Sequence, residues 1–402
     1  FFFFFFFFFF FFFFFFSLSF FFFFFSLDFD VLVDASPDLM HTILEGGLSH
    51  EIHLFLRYCI VEMRYFTVVN LNAHLDGFSF GYNEKDNIPS RIELSHINSA
   101  SNELPHQNAS QIWLLARCLL FLIGNYVPLD NPNRICFQSH VRLLFEMLNP
   151  QVTPNLIMLL PDLILGHHQM FRQIYPNVNI TPKLHFYVHI PRMMMIHGPL
   201  RWIMATRFEA KHQYFKKVAR KCNWKAPLES CAERHERKVA LLFQTQPGCF
   251  PPSIYQKFLF GKTLELGFQG HLVQQILNRY PLVMGHNFFS VDWIEVFGTK
   301  FTILEANVRI LDGLPDRPCY LRIDVIVIQK NLNEETIACY FFGKKVNVLE
   351  FQESLQAFRV ELSNETIIRN SDEISTLHPL PLWSYQGNVY ISDRTCSFSD
   401  WI

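Results

Sequence analysis

Pro247-Gly248-Cys249-Phe250-Pro251-Pro252 divides this chain into two kinds of sequence. Before it, apolar residues recur at spacings of three and four, the period of an amphipathic helix. Well after it, from Val291-Asp292-Trp293-Ile294-Glu295-Val296 onward, the chain alternates and is rich in β-branched residues. Phe301 to Ile310, Tyr320 to Ile328, Thr336 to Phe342 and Ala357 to Leu362 continue that alternation, with Gly, Asp-Gly and Pro between them. Such spacing predicts short strands in a small antiparallel barrel or sandwich. The fold class is therefore α+β: a mainly helical region over residues 28–248, then a small antiparallel β-rich domain over 249–402.

Upstream, Pro37 opens a helical stretch, Asp38-Leu39-Met40-His41-Thr42-Ile43-Leu44-Glu45, followed by Leu48, Ile52, Phe55, Leu56 and Ile60. Ser36 is the expected N-cap, with Pro37 at the first helical position, and Gly46-Gly47 is the expected kink. Residues 66–109, rich in Asn, Ser, Asp and Gly, are expected to form a long surface excursion. Helices are expected over Trp113 to Ile123, Ile135 to Leu148 and Leu156 to Tyr175. Another is expected over Pro182 to Met195, interrupted at Pro191, and a further one over Met204 to Cys222. In that last helix Met204, Phe208, Phe215, Val218, Ala219 and Cys222 form the expected core stripe.

Residues 1–25 hold 22 phenylalanines, broken only by Ser17-Leu18-Ser19. The run is long enough to span a bilayer. It lacks the mixed apolar composition and basic flank of a natural span, the first cation being Arg57. Residues 1–27 are therefore set apart as a low-complexity segment, a translated simple repeat rather than a membrane anchor. Nine cysteines at irregular spacing, with no Cys-x-x-Cys pair, argue against a disulfide framework and a zinc ribbon. They fit a reducing compartment, nuclear or cytoplasmic.

The formal net charge of −2 carries no global nucleic-acid signature. Locally the balance differs. From Pro199 to Lys238 there are eleven Lys or Arg against four Glu, and from Arg201 to Lys225 the one acid is Glu209. On a helix, His212, Gln213, Lys216 and Arg220 share the face of Glu209. One reading is a solvated face with a Glu–Lys pairing. The other is a metal-binding acid on a surface where polyanions collect, with Arg201, Arg207, Lys211, Lys216, Lys217 and Arg220 against the DNA backbone. Asp38 and His41 share a helix face as well. Asp38 stabilises a helix start in one reading, and in the other the pair orients a water or metal ligand. His167-His168, His185, His189, His197 and His212 are further candidates. His185 and His189, four apart, could share a metal, or could be hydrogen-bonded histidines on packed helices. There is no P-loop, no Gly-x-Ser-x-Gly and no His-Glu-x-x-His.

In order along the chain, these segments resemble a known family. Ser36-Pro37-Asp38-Leu39-Met40-His41-Thr42-Ile43-Leu44-Glu45-Gly46 looks like a block of animal transposases similar to the CACTA (En/Spm) superfamily. His167-His168-x-x-Phe171 through Tyr175-Pro176, and then Pro182-Lys183-x-His185-Phe186-x-x-His189-x-Pro191-Arg192, resemble the block that follows. Gly198-Pro199-Leu200-Arg201-Trp202 to Lys217, with Arg220, resembles the next, and the β-rich tail looks like the family's C-terminal region. The resemblance covers roughly residues 36–392.

It implies DNA strand cleavage and transfer by an RNase H-like fold whose three acids hold two divalent ions, Mg²⁺ or Mn²⁺. It implies that Glu209 matches the third acid and that Asp38 and His41 match the Asp-x-x-His signature before it. The intervening helices would be an insertion in an RNase H-like core. The implied partners are DNA, as terminal inverted repeats and target, and a second copy of the chain. The chain departs from the family in two ways. Thr42 stands where the family commonly has Asp, and the first two catalytic acids, expected upstream of Asp38, have no match in Asp28, Asp30 or Asp34. The expected object is a truncated transposase-derived protein, inactive as it stands. The alternative is a domesticated, non-catalytic DNA- or protein-binding remnant.

Overall fold

A computed structural model describes residues 36–99, 103–221, 226–244, 258–266, 270–281, 287–296, 298–314, 317–375 and 378–393. The Phe-rich segment and the Pro247–Pro252 boundary lie outside them. The first helical path, α1, runs through Met40–Leu48, Ser49–Arg57 and Tyr58–Glu62. Its opening stretch is wound as a wider π-type helix, with Gly46 at φ −121° and ψ −109°. The kink expected at Gly46-Gly47 is there. Gly47 also permits a close approach: a Cβ at this position would lie 2.5 Å from the Tyr187 hydroxyl and 2.6 Å from Leu184.

Residues 66–109 are not a surface excursion. They hold α2 (Val68–Gly77), a 3-10 turn (Tyr82–Asn87) and α3 (Leu94–Ile97). Phe66, Leu71, Leu75, Phe80, Ile92, Ile97 and Leu104 join the main core. Polar composition hid a helix that local capping fixes. Thr67 accepts from the Asn70 amide at 3.2 Å, while the Asn70 side chain accepts from the Thr67 amide at 3.0 Å. The polar residues between the apolar ones serve as caps and ties, such as Asn72 bridging both backbone groups of Ile92.

The next helices start on cap residues the sequence displays. These are α4 (Ala109–Ile123) on Asn108, α5 (Pro132–Met147) on Asn131, α6 (Pro154–Ile174) on Thr153 and α7 (Pro182–His185) on Thr181. Three of the four place Pro directly after the cap, where its missing N–H costs nothing. The interruption expected at Pro191 falls earlier, in a 3-10 turn over Phe186–His189, and Pro191 lies in the first turn of α8 (Ile190–His197). α9 (Thr206–Lys221) and α10 (Pro227–Gln244) follow and pack together.

Strands β1 (Phe258–Phe260), β4 (Trp293–Val296) and β5 (Thr299–Thr302) form a small sheet. β2 (Thr263–Leu266), β3 (Asn287–Val291), β6 (Asn307–Leu314), β7 (Arg317–Lys330), β8 (Thr336–Gln352), β9 (Ala357–Asn370), β10 (Trp383–Tyr385) and β11 (Asn388–Ile391) form an eight-stranded one. Helix α11 (His271–Arg279) lies between β2 and β3 in sequence. Among the described residues every strand pair is antiparallel, as expected. The strands are longer than expected because β7, β8 and β9 run through register shifts at Ile323/Val325, Lys344/Val346 and Val348/Glu350. Such bulges bend a strand without ending it, so alternation breaks while pairing continues.

The two regions share one core. Leu355, Phe358, Val360, Leu380, Trp383, Tyr390 and Ile391 pack in the same apolar cluster as α1, α4, α5 and α6. The seam is built around Trp383, whose ring lies 5.3 Å from Phe121 and 5.4 Å from Phe78. Arg117 stacks 5.3 Å from the same ring and pairs with Glu84 at 3.0 Å, both side chains almost wholly buried. Removing one member of such a pair strands the other charge. Arg117→Met is expected to lower unfolding stability by about 3–5 kcal/mol in urea titration. The double variant Arg117→Met, Glu84→Met is expected to lose clearly less than the sum of the two single variants.

Candidate functional site

The helical path opens at Leu39, and Asp38 takes the capping role expected of Ser36. Its Oδ2 accepts from the His41 amide at 3.1 Å, and its carbonyl accepts from the Thr42 amide at 2.9 Å. The Ser36 hydroxyl instead donates to the Pro37 carbonyl. Asp38 is therefore placed as a helix-start acid, and it does more. Its Oδ1 accepts from the Ala205 amide at 2.7 Å, across 167 residues of chain. That bond holds the turn before α9 against the start of α1. Thr206, the first residue of α9, donates its hydroxyl to Met40 Sδ at 3.2 Å. Glu209, one turn further on, comes to face His41.

His41 lies between two carboxylates. Its Nδ1 is 2.5 Å from Asp38 Oδ2, and its Nε2 is 3.1 Å from Glu209 Oε1. Glu45, one turn along α1, stands 3.9 Å from the same Nε2. With one ring proton directed from Nδ1 to Asp38, the Nε2–Oε1 contact joins two acceptors unless a second proton or a cation lies between them. The His41 and Glu209 side chains are 50 % and 48 % exposed, so the group opens to solvent. Asp38, at 25 % exposure, is the inner member.

Asp38, His41 and Glu209 are thus brought together by the fold. Glu45 was not singled out in the sequence, although its position four residues after His41 places it on the same face. The basic residues divide. Lys216, Lys217 and Arg220 are exposed on α9, the helix that carries Glu209. Arg207 and Lys211 belong to α9, but their side chains lie outside the described residues. Arg201 is half-buried, with its guanidinium 5.2 Å from the Trp113 ring and 5.8 Å from that of Trp202. Burial pushes its pKa down to about 10. It serves packing before it could serve a phosphate. Phe208, expected in the core stripe, is 69 % exposed, while Met204 and Val218 are buried. Helix α9 packs chiefly on α10, so only part of its apolar face is covered.

His185 and His189 face each other, ring centroids 5.4 Å apart, on an exposed turn. Among the described residues they meet no third metal-ligating group. His167 belongs to a different, buried group that the sequence did not expose. There Glu51 Oε2 receives His140 Nδ1 at 2.6 Å and His167 Nε2 at 2.8 Å, with all three side chains fully buried. Burial pushes the Glu51 carboxyl up, but the two imidazoles outweigh it and hold the carboxyl well below the usual range. An acid among Leu48, Ile52 and Phe55 on an apolar helix face was the available signal.

No helix among the described residues is long and apolar enough to cross a membrane. Compared with family models, with curated proteins and with solved structures, the chain matches none. Asp38→Ala removes both the cap and the Ala205 bond and is expected to lower unfolding stability by about 1–3 kcal/mol in chemical denaturation. Ser36→Ala is expected to change it by less than about 0.5 kcal/mol.

Proposed function

We propose that this chain derives from a DDE-type transposase and engages DNA through the face of α9 that carries Glu209, without cutting it alone. The observation that supports the reading is the meeting of Asp38, His41 and Glu209, three residues the CACTA-like resemblance singles out from segments far apart in sequence. Exposed Lys216, Lys217 and Arg220 on the same helix give the face the charge that phosphates require. Exposed Trp202, Ile203 and Phe208 beside it suit coverage by further elements of an RNase H-like core.

The donor set fits one hard cation and not a two-ion clamp. Both Asp38 oxygens are already engaged by Ala205 and His41, which leaves Glu209 and Glu45 as the carboxylates facing solvent. Mg²⁺ or Mn²⁺ prefers such oxygen donors completed by water. Glu209 would hold it, and it would supply charge stabilisation to a phosphodiester. Asp38 orients His41, whose Nε2 faces the Glu209 carboxylate at 3.1 Å. Two further acids would be needed to place a second ion.

The full chain is expected to bind duplex DNA with little sequence preference, its affinity falling steeply with salt. Alanine at Arg207, Lys211, Lys216, Lys217 and Arg220 together is expected to weaken binding at least tenfold in fluorescence anisotropy and to flatten the salt dependence. Each lost phosphate contact reduces that slope by about one. Salt-independent binding, or unchanged binding by the quintuple variant, would remove the basic face from the account. Mg²⁺-dependent nicking of plasmid DNA by this chain alone would contradict its catalytic incompetence.

A further inference from the structure

Away from the exposed centre, three helices and a turn converge on Glu51. α1 supplies Glu51, α5 supplies Cys136 and His140, α6 supplies His167, and the turn after α7 supplies Tyr187. All five residues are fully buried. A Glu51 oxygen, the Cys136 sulfur and a His167 ring nitrogen lie within 4.8 Å of one another. His140 holds the same carboxylate through Nδ1 and reaches the Tyr187 hydroxyl through Nε2 at 2.9 Å. Glu51 Oε1 and His167 Nδ1 are buried and have no hydrogen-bond partner among the described residues.

We propose that Glu51, Cys136 and His167 form a structural site for one transition-metal dication, zinc by preference. Three lines of chemistry support it. One carboxylate, one thiol and one imidazole form a mixed O, S and N set of the kind that zinc accepts and that Mg²⁺ and Ca²⁺ do not favour. Zinc bonds of about 2.0–2.3 Å place one sulfur, one oxygen and one nitrogen donor about 3.3–3.5 Å apart in a tetrahedron, so a contraction of about 1.5 Å at most closes the site. Charge balances too. The Cys136 thiol releases its proton to solvent as it binds, and thiolate plus carboxylate cancel the dication in a dry interior. His140 is placed to take the fourth position or, failing that, to orient Glu51 from behind, with Tyr187 fixing its ring. The metal would give the buried Glu51 Oε1 a role that the hydrogen bonds leave open, with His167 turning its Nε2 from Glu51 Oε2 to the ion.

A site with no exposed ligand loads as the chain folds, so the test begins with refolding. The full chain is refolded with and without zinc, desalted, and analysed for bound metal. About one zinc per chain, retained through desalting and raising the melting temperature, is expected. Refolding with cobalt should give a sulfur-to-metal charge-transfer absorption. Cys136→Ser abolishes that band, and His167→Gln lowers bound metal at least several-fold. A His185→Ala, His189→Ala variant, which removes the exposed histidine pair, retains the metal. Wild-type chain that refolds equally well without zinc and holds none overturns the proposal. Metal lost from the His185, His189 variant, or a cobalt spectrum unchanged by Cys136→Ser, overturns the assignment to Glu51, Cys136 and His167. DNA binding through α9 is independent of each outcome.

Discussion

The Asp38 carboxylate is the constraint on which the exposed centre depends. One oxygen takes the Ala205 amide, and the other takes the amide and ring of His41. The first bond sets where α9 begins relative to α1, and the second sets the rotation of His41. Glu209 then meets His41 because α9 leaves Ala205 in register, its own amide donating to the Ala205 carbonyl at 2.8 Å. Backbone donors with a fixed direction make this arrangement more exact than a surface ion pair would.

Helix α1 carries two polar centres of opposite character. At its start His41 and Glu45 face solvent with Asp38 behind them, while two turns later Glu51 is fully buried between α5 and α6. The π-type stretch with its break at Gly46 separates them and lets α7 approach at Gly47. A π turn rotates successive side chains differently from an α turn, so the acids do not continue along one stripe. The outer centre opens to solvent, whereas the inner one is suited to fixing the helical core.

Much of the architecture was legible in the sequence because local rules agreed with tertiary ones. The switch from helix to antiparallel strand and the Gly46-Gly47 kink are of this kind. The helix over Val68–Gly77 was not legible, since its polar residues are caps and ties whose partners are set by tertiary structure. The length of β8 and β9 was hidden by bulges that break alternation without breaking pairing. At the site, family resemblance named Asp38, His41 and Glu209, while spacing alone left each with an ordinary structural reading. Arg201 shows the limit of counting charges: two indoles, not solvent, surround its guanidinium.

The most direct test of the account is amide hydrogen exchange at Ala205, followed by nuclear magnetic resonance in the wild-type chain and in Asp38→Asn. If Asp38 joins α1 to α9, the Ala205 amide is protected in the wild type. The variant keeps an oxygen acceptor but loses its charge, so protection should fall by about tenfold, in line with about 1.4 kcal/mol for a charge-assisted bond, while amides in α4 and α6 stay unchanged. An Ala205 amide that exchanges freely in the wild type, or at the same rate in both proteins, would contradict the claim that this carboxylate assembles the site.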